Sequence, residues 1–338
     1  MTVAHWDGRE PAPAAWRGGA VALGNFDGVH RGHAALLAEL RRQATEVGGP
    51  AVAITFDPHP LQLLRPEQFQ PMLTTVADRA ALLRQAGADH VVVLRTTPEL
   101  LRQSPEEFFR DVLHAGLQAR AVVEGVNFRF GHDRRGTVET LVRLCQEAGL
   151  RCVIVPPVER HGELISSSRI RAALLRGEVG RAAEGLGRPY RLRGVVGPGQ
   201  GRGRQLGYPT ANLREWATLV PRDGVYAVVV TAAGGRWPAA AHNGPNPTFG
   251  DTARKVEVHL LDFSGDLLDQ PLAVDFLERL RDTRTFASPA ALAEQLRADV
   301  DQARRVCEAA NRPQASEHGP TPCGVENAAR PTTDTNIR

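Results

Sequence analysis

Lysine is almost absent from this chain: Lys255 stands alone against 40 arginines in 338 residues. That absence excludes a Walker-type phosphate loop, whose GxxxxGK[ST] pattern needs a lysine directly after its glycines. Any phosphate chemistry must rest on backbone amides, arginine, histidine or metal. Cysteine is scarce too. Cys145, Cys152, Cys307 and Cys323 show no CxxC spacing and give no disulfide or zinc framework, which points to a reducing, cytoplasmic setting. No apolar run approaches the roughly 20 residues of a membrane span. The opening MTVAHWDGREPAPAAW lacks the basic-then-apolar layout of a secretory signal. A net charge of +3 is too small to argue for a nucleic-acid partner.

What is present suits two globular domains. Across residues 20–180, the strand-like runs AVALGNF, AVAITFD, HVVVLR, AVVEGVNF and RCVIVPP alternate with four helical stretches, HAALLAELRRQATEVG, TVADRAALLRQAG, SPEEFFRDVLHAG and TVETLVRLCQEAG. Such alternation predicts an α/β fold, a parallel sheet wrapped by helices, with ligands at the carboxyl ends of the strands. GNFDGVHRGH (24–33) and GVNFRFGHDRRG (125–136) occupy that place. Near Leu186 the pattern changes. YRLRGVV, GVYAVVV, KVEVHLLDF and LAVDFL are short strand candidates between Gly, Pro and Asp turns, and they predict an antiparallel sheet or small barrel. Ser288 and Pro289 then open a last helix as N-cap and first helical residue. The expected division is 1–185, 186–310 and a polar, disordered tail at 311–338.

Three readings of His30 and His33 compete. Zinc would want more ligands than HxxH and Asp27 provide. A pair of helix-capping histidines needs nothing further. Anion chemistry is the third: a helix N-terminus presents unpaired N–H groups and a positive dipole end, and Gly24, Gly28 and Gly32 would let a phosphate approach. In the second domain, VVGPGQGRGRQLGYPTANL (195–213) matches no GxGxxG fingerprint and has too few aromatics for an RNA-binding segment. Thr210 and Asn212, two apart, share one side of an extended chain and offer oxygen ligands suited to Mg²⁺. In KVEVHLLD, Val256, Val258 and Leu260 fall on one face, and Lys255, Glu257 and His259 on the other.

HxGH after the first strand resembles the signature of the nucleotidyltransferases. The longer string, followed in order by TFDPHP (55–60), GVNFRFG (125–131) and ISSSRIR (165–171), resembles the FMN adenylyltransferase half of bacterial bifunctional riboflavin kinase/FAD synthetases. The glycine-rich flap with PTAN, then DGVYAV, NPTFG (246–250) and VEVH, resembles their riboflavin kinase half. The resemblance implies a Rossmann-like nucleotidyltransferase domain followed by a kinase barrel with a C-terminal helix, making FMN and then FAD from riboflavin, ATP and Mg²⁺. It implies that His30 and His33 steady the α-phosphate and pyrophosphate of ATP. Gly24, Phe26, Asp27, Asn127, Ser167, Ser168 and Arg171 would hold nucleotide and phosphate, and Asn127 with Asp57, Pro58, His59 and Pro60 would line the flavin side. In the barrel it implies Glu257 as general base, Gly201, Arg202, Gly203 and Arg204 over the phosphates, Thr210 and Asn212 on the metal, and Arg281 and Phe286 near flavin. The family's threonine is Ser168 here, and HNGPN (242–246), LLDQ (267–270) and RLRDTRTF (279–286) depart from its usual pattern. The partners implied are small molecules, with no nucleic acid and no membrane; assembly into a homo-oligomer stays open. The alternative is a nucleotidyltransferase for another phosphorylated acceptor, with a non-catalytic flavin- or RNA-binding barrel. Flavin turnover separates the two.

Overall fold

The structure, a computed structural model, describes residues 3–8, 10–205, 207–246 and 251–312. The N-terminal half holds six strands: β1 (Ala4–Trp6), β2 (Ala20–Leu23), β3 (Ala51–Asp57), β4 (His90–Arg95), β5 (Ala121–Gly125) and β6 (Arg151–Val155). All pair in parallel, in the order β1-β4-β3-β2-β5-β6. Their near-continuous apolar runs follow from burial on both faces. Val21, Leu23, Val52, Ile54, Val92 and Leu94 enter one core, while Ala20, Ala22, Ala51, Ala53 and Val91 enter the other. Onto the second core the helix Arg31–Val47 places Leu36, Leu37, Leu40 and Ala44 at helical spacing. The five runs expected as strands all form strands; β1 is an edge strand of three residues, too short to show a period.

Strand order reverses between β2 and β5, which pair only at Ala20↔Ala121 and Val21↔Val122. Beyond Val21 the strands part, and Glu124 Oε1 accepts from Leu23 N at 2.7 Å across the gap. This is the switch point at which open α/β sheets bind ligands.

After a small hairpin, β7 (Glu159–Arg160) and β8 (Glu163–Leu164), six strands close a barrel. They are β9 (Tyr190–Gly197), β10 (Ala211–Arg214), β11 (Gly224–Ala232), β12 (Gly235–Asn246), β13 (Asp251–Leu260) and β14 (Pro271–Arg281). Pairing is antiparallel throughout, in the order β10-β13-β12-β11-β14-β9 and back to β10. Sequence patterning missed β10 and β12. The latter, GRWPAAAHNGPN, is rich in Ala, Gly and Pro and has no β-branched residue; it is a strand because β11 and β13 pair with it on both sides. The helix Pro289–Asn311, N-capped by Ser288, packs on β11, β12 and β14.

Two helices join the halves, Ser167–Arg176 and Val179–Leu186. Ile170, Ala173, Leu174, Val179, Ala182 and Leu186 share one apolar cluster with Tyr190, Tyr226 and Phe276 of the barrel. Residues 313–338, most of the expected tail, lie outside the described residues.

Candidate active sites

Past β2 the backbone turns left-handed at Phe26 (φ 47°), Gly28 (φ 82°) and Val29 (φ 41°) before helix Arg31–Val47 begins. Non-glycine residues resist that conformation, so the surroundings must hold it. Phe26 and Val29 are buried. The Asp27 carboxylate accepts from Leu73 N at 2.8 Å and Thr74 N at 3.2 Å, and Arg188 donates to Gly28 O and Val29 O at 2.5 and 2.9 Å.

His30 caps the helix. Its Nδ1 accepts from His33 N, and His33 Nδ1 accepts from His30 N, each at 3.3 Å. The rings stack with centroids 3.6 Å apart. With both Nδ1 atoms accepting, each neutral ring carries its proton on Nε2 and is a donor there. Burial and then the Arg188 charge lower the His30 pKa to about 4. Burial, His30 and Arg79 lower that of His33 well below its usual value. Both rings are neutral donors at pH 7.

A second helix N-terminus meets this loop. Ser166 caps Ser167–Arg176, and Ser167 Oγ donates to Asp27 O at 2.8 Å. Ser168 is exposed beside it. Two helix starts and two Nε2–H donors at the carboxyl end of β2 form an arrangement suited to a polyphosphate. Gly24, whose N–H donates to Ile54 O at 3.0 Å, follows directly on the end of β2. At the end of β3, His59 Nδ1 accepts from Leu61 N at 3.1 Å and caps the short helix opened by Pro60. Burial first, then Arg79 and Arg171, lower the His59 pKa to about 4. Asp57 and Pro58 line a cleft with Trp6, Trp16 and Arg95. Asn127 is exposed in the turn after β5.

Three residues expected on phosphate have protein partners in this structure. Phe26 is 2% exposed and meets the His33 ring edge-on at 5.2 Å. Asp27 points inward, 4% exposed, where a carboxylate serves the loop's N–H groups and would repel a phosphate. Arg171 pairs with Asp27 at 2.8 Å and donates to Pro71 O at 3.2 Å, so its guanidinium locks the loop.

In the barrel, one cavity lies between β10, β12, β13 and the C-terminal helix. Asn212 pairs with Glu257, and Glu257 with His242, across β10, β13 and β12. Directly opposite residues of antiparallel strands face the same side, and all three line the cavity with Thr210. Val256, Val258 and Leu260 face the core as expected. Gly201 and Gly203 reach the cavity, whereas Arg204 is exposed and does not line it, because a turn of helix at Arg202–Gln205 sends successive side chains to different sides. The Arg202 side chain and residues 247–250 of NPTFG lie outside the described residues. Arg281 and Phe286 line the cavity together. The Arg281 guanidinium is held by Asp299 at 2.6 Å and lies 5.7 Å from the Phe286 ring.

Sequence reasoning missed Arg79, Arg188, Glu124 and His242. One signal was legible: Arg79 lies on the stripe Val76, Arg79, Ala80, Leu83 of its helix, where an apolar residue belongs.

A family model described as FAD synthetase matches residues 12–169, and one described as riboflavin kinase matches 186–307. The bifunctional riboflavin kinase/FMN adenylyltransferase of Pseudomonas fluorescens is 41% identical over 289 residues, 85% of this chain and 93% of its own. That of Bacillus subtilis is 33% identical over 291 residues, 84% and 91%. A solved structure described as a macrolide-efflux protein from Streptococcus pneumoniae superposes with a TM-score of 0.81 at 33% identity, covering 90% of this chain and 99% of that one. No helix among the described residues is long and apolar enough to cross a membrane.

Proposed function

Since this chain belongs to the bifunctional riboflavin kinase/FMN adenylyltransferase family, with both activities in one polypeptide, we propose that the histidine loop is its adenylyltransferase site and the Glu257 cavity its kinase site. The enzyme phosphorylates riboflavin to FMN with ATP and adenylylates FMN to FAD. Functionally the chain divides at residues 1–185 and 186–310.

In the kinase half the riboflavin 5′-hydroxyl oxygen attacks the γ-phosphorus of ATP. Glu257 takes the hydroxyl proton as the new O–P bond forms, and ADP leaves. Thr210 and Asn212 beside Glu257 are an all-oxygen set fitting a hard cation, and among the described residues no cluster of His, Cys, Asp or Glu competes for a metal. Thr210 and Asn212 would hold Mg²⁺, which would supply charge neutralisation for the phosphates. Gly201 and Gly203 let the flap backbone approach the phosphates, and Arg281 and Phe286 flank the flavin.

In the adenylyltransferase half a phosphate oxygen of FMN attacks the α-phosphorus of ATP and the bond to the β-phosphate oxygen breaks, releasing pyrophosphate. No protein nucleophile is needed, so catalysis is positioning and charge stabilisation. The Nε2–H groups of His30 and His33 and the free N–H groups at Ser167 and Ser168 receive the charge that builds on the leaving oxygens. Asn127 and the Asp57–Pro60 turn hold the flavin phosphate side. The enzyme works in the cytoplasm on small molecules.

The reciprocal cap of His30 and His33 carries this assignment, because it leaves both rings neutral with Nε2 as donor. It is tested by following riboflavin, FMN and FAD by chromatography with excess ATP and Mg²⁺. His30→Ala with His33→Ala abolishes FAD formation while FMN still accumulates. Glu257→Ala abolishes FMN formation from riboflavin while supplied FMN still becomes FAD. One folded variant losing both activities would overturn the division.

A further inference from the structure

We propose that Arg79 is a positioning residue for adenylyl transfer: its buried guanidinium fastens together the histidine loop, the end of β3 and the turn at 71–75, and sets the charge near the His33 and His59 rings. The inference rests on the assignment of adenylyl transfer to the histidine loop. Arg79 is on the inward face of the helix Val76–Gln85 and is 2% exposed. Nη1 donates to Thr55 Oγ1 at 3.0 Å, and that hydroxyl donates to Asn25 O at 3.1 Å. Nη2 donates to Thr74 O at 3.4 Å. Thr74 in turn binds Asp27 through its N–H and Gly28 N through its hydroxyl, at 3.2 and 3.1 Å. One side chain therefore reaches all three segments that shape the site.

Nε of Arg79 is buried with no hydrogen-bond partner. A cation that is dry and incompletely paired is costly, and its field acts on every neighbour with little screening. The groups within that field are Asp27 from the histidine loop, Asp57 from the end of β3, His33 from helix Arg31–Val47 and His59 from the turn after β3. Beyond Arg79, His30 bears on His33, and Arg171 bears on His59 and Asp27. His33 and His59 each use Nδ1 to accept an N–H, so protonating either ring would break a helix cap. The Arg79 charge opposes that protonation.

The test uses the full chain with Arg79→Met and Arg79→Lys. FAD formation from FMN and ATP is measured across pH, and FMN formation from riboflavin in the same preparations reports an intact fold. Arg79→Met is expected to lower kcat for FAD formation about 100-fold, to change the KM for ATP less, and to move the acid limb to higher pH. Arg79→Lys keeps the charge but not the fork, so its kcat falls by a smaller factor and its acid limb stays at the wild-type position. Wild-type kcat and acid limb in Arg79→Met overturn the proposal. So do equal losses in both variants with neither limb moved, the behaviour of a mere prop. If Arg79→Met also loses FMN formation, Arg79→Lys decides: reduced kcat with FMN formation intact supports the role, and wild-type kcat refutes it. FAD formation surviving the double histidine variant would remove the assignment itself. A dead histidine variant beside a fully active Arg79→Met removes only the role of Arg79.

Discussion

Each histidine of the pair spends one nitrogen on structure and keeps the other for chemistry, and a second proton on the ring ends the structural use, because a protonated imidazole has no acceptor nitrogen. Because burial lowers the folded-state pKa of His30 to about 4 from 6.5, the unfolded chain binds the proton first as pH falls. The stability linked to His30 is thus fully present above pH 6.5 and is lost as pH falls toward 4, by at most about 1.4 kcal/mol per pH unit. His30→Asn keeps a capping acceptor without the titration. In denaturant unfolding at pH 7, 5.5 and 4.5, the wild type should lose more stability than this variant at each step below 6.5. Parallel losses would mean that His30 does not carry the linkage. Asp27 shows the converse case. Its burial raises its pKa, while Arg79, Arg171 and two backbone N–H groups work against that rise, so its carboxylate is the keystone of the loop.

At the scale of elements, the histidine loop depends on a backbone path that few residues tolerate. Gly28 has φ 82°, and a methyl there would come 2.9 Å from Leu73 Cδ1 and 3.2 Å from Leu186 Cδ2. Gly28→Ala should cost about 1–3 kcal/mol through backbone strain and crowding and should displace the His30 cap. A thermal melt with both assays checks this: FAD formation falls well before FMN formation. Strand β13 behaves differently, since its work is done by alternation. Val256 and Val258 anchor it in the barrel core, and that alone turns Glu257 into the cavity between Asn212 and His242. A strand's period is written within a few residues, whereas a loop's path is set by whatever packs on it.

At the scale of the molecule, the helices that start at Ser167 and Val179 belong to both halves. Ser167 and Arg171 hold the histidine loop, while Leu174, one turn on, is fully buried among barrel residues, and Leu174 O accepts from Arg222 N at 2.9 Å. Leu174→Ala should destabilise the protein by about 2–5 kcal/mol, and the thermal inactivation curves of both activities should move down together. A shift of one curve alone would show that the halves unfold independently. The sequence by itself determined the alternation that makes the parallel sheet, the seat of His30 and His33 at the carboxyl end of β2, and the face on which Glu257 stands. Each of these is encoded by neighbours within one turn or one strand. Only the tertiary structure decided that GRWPAAAHNGPN is a barrel strand, that Phe26, Asp27 and Arg171 turn inward, and that Arg79 is buried against Thr55 and Thr74. Those outcomes depend on desolvation and on partners as distant as the 144 residues separating Asp27 from Arg171, and local pattern carries no record of either.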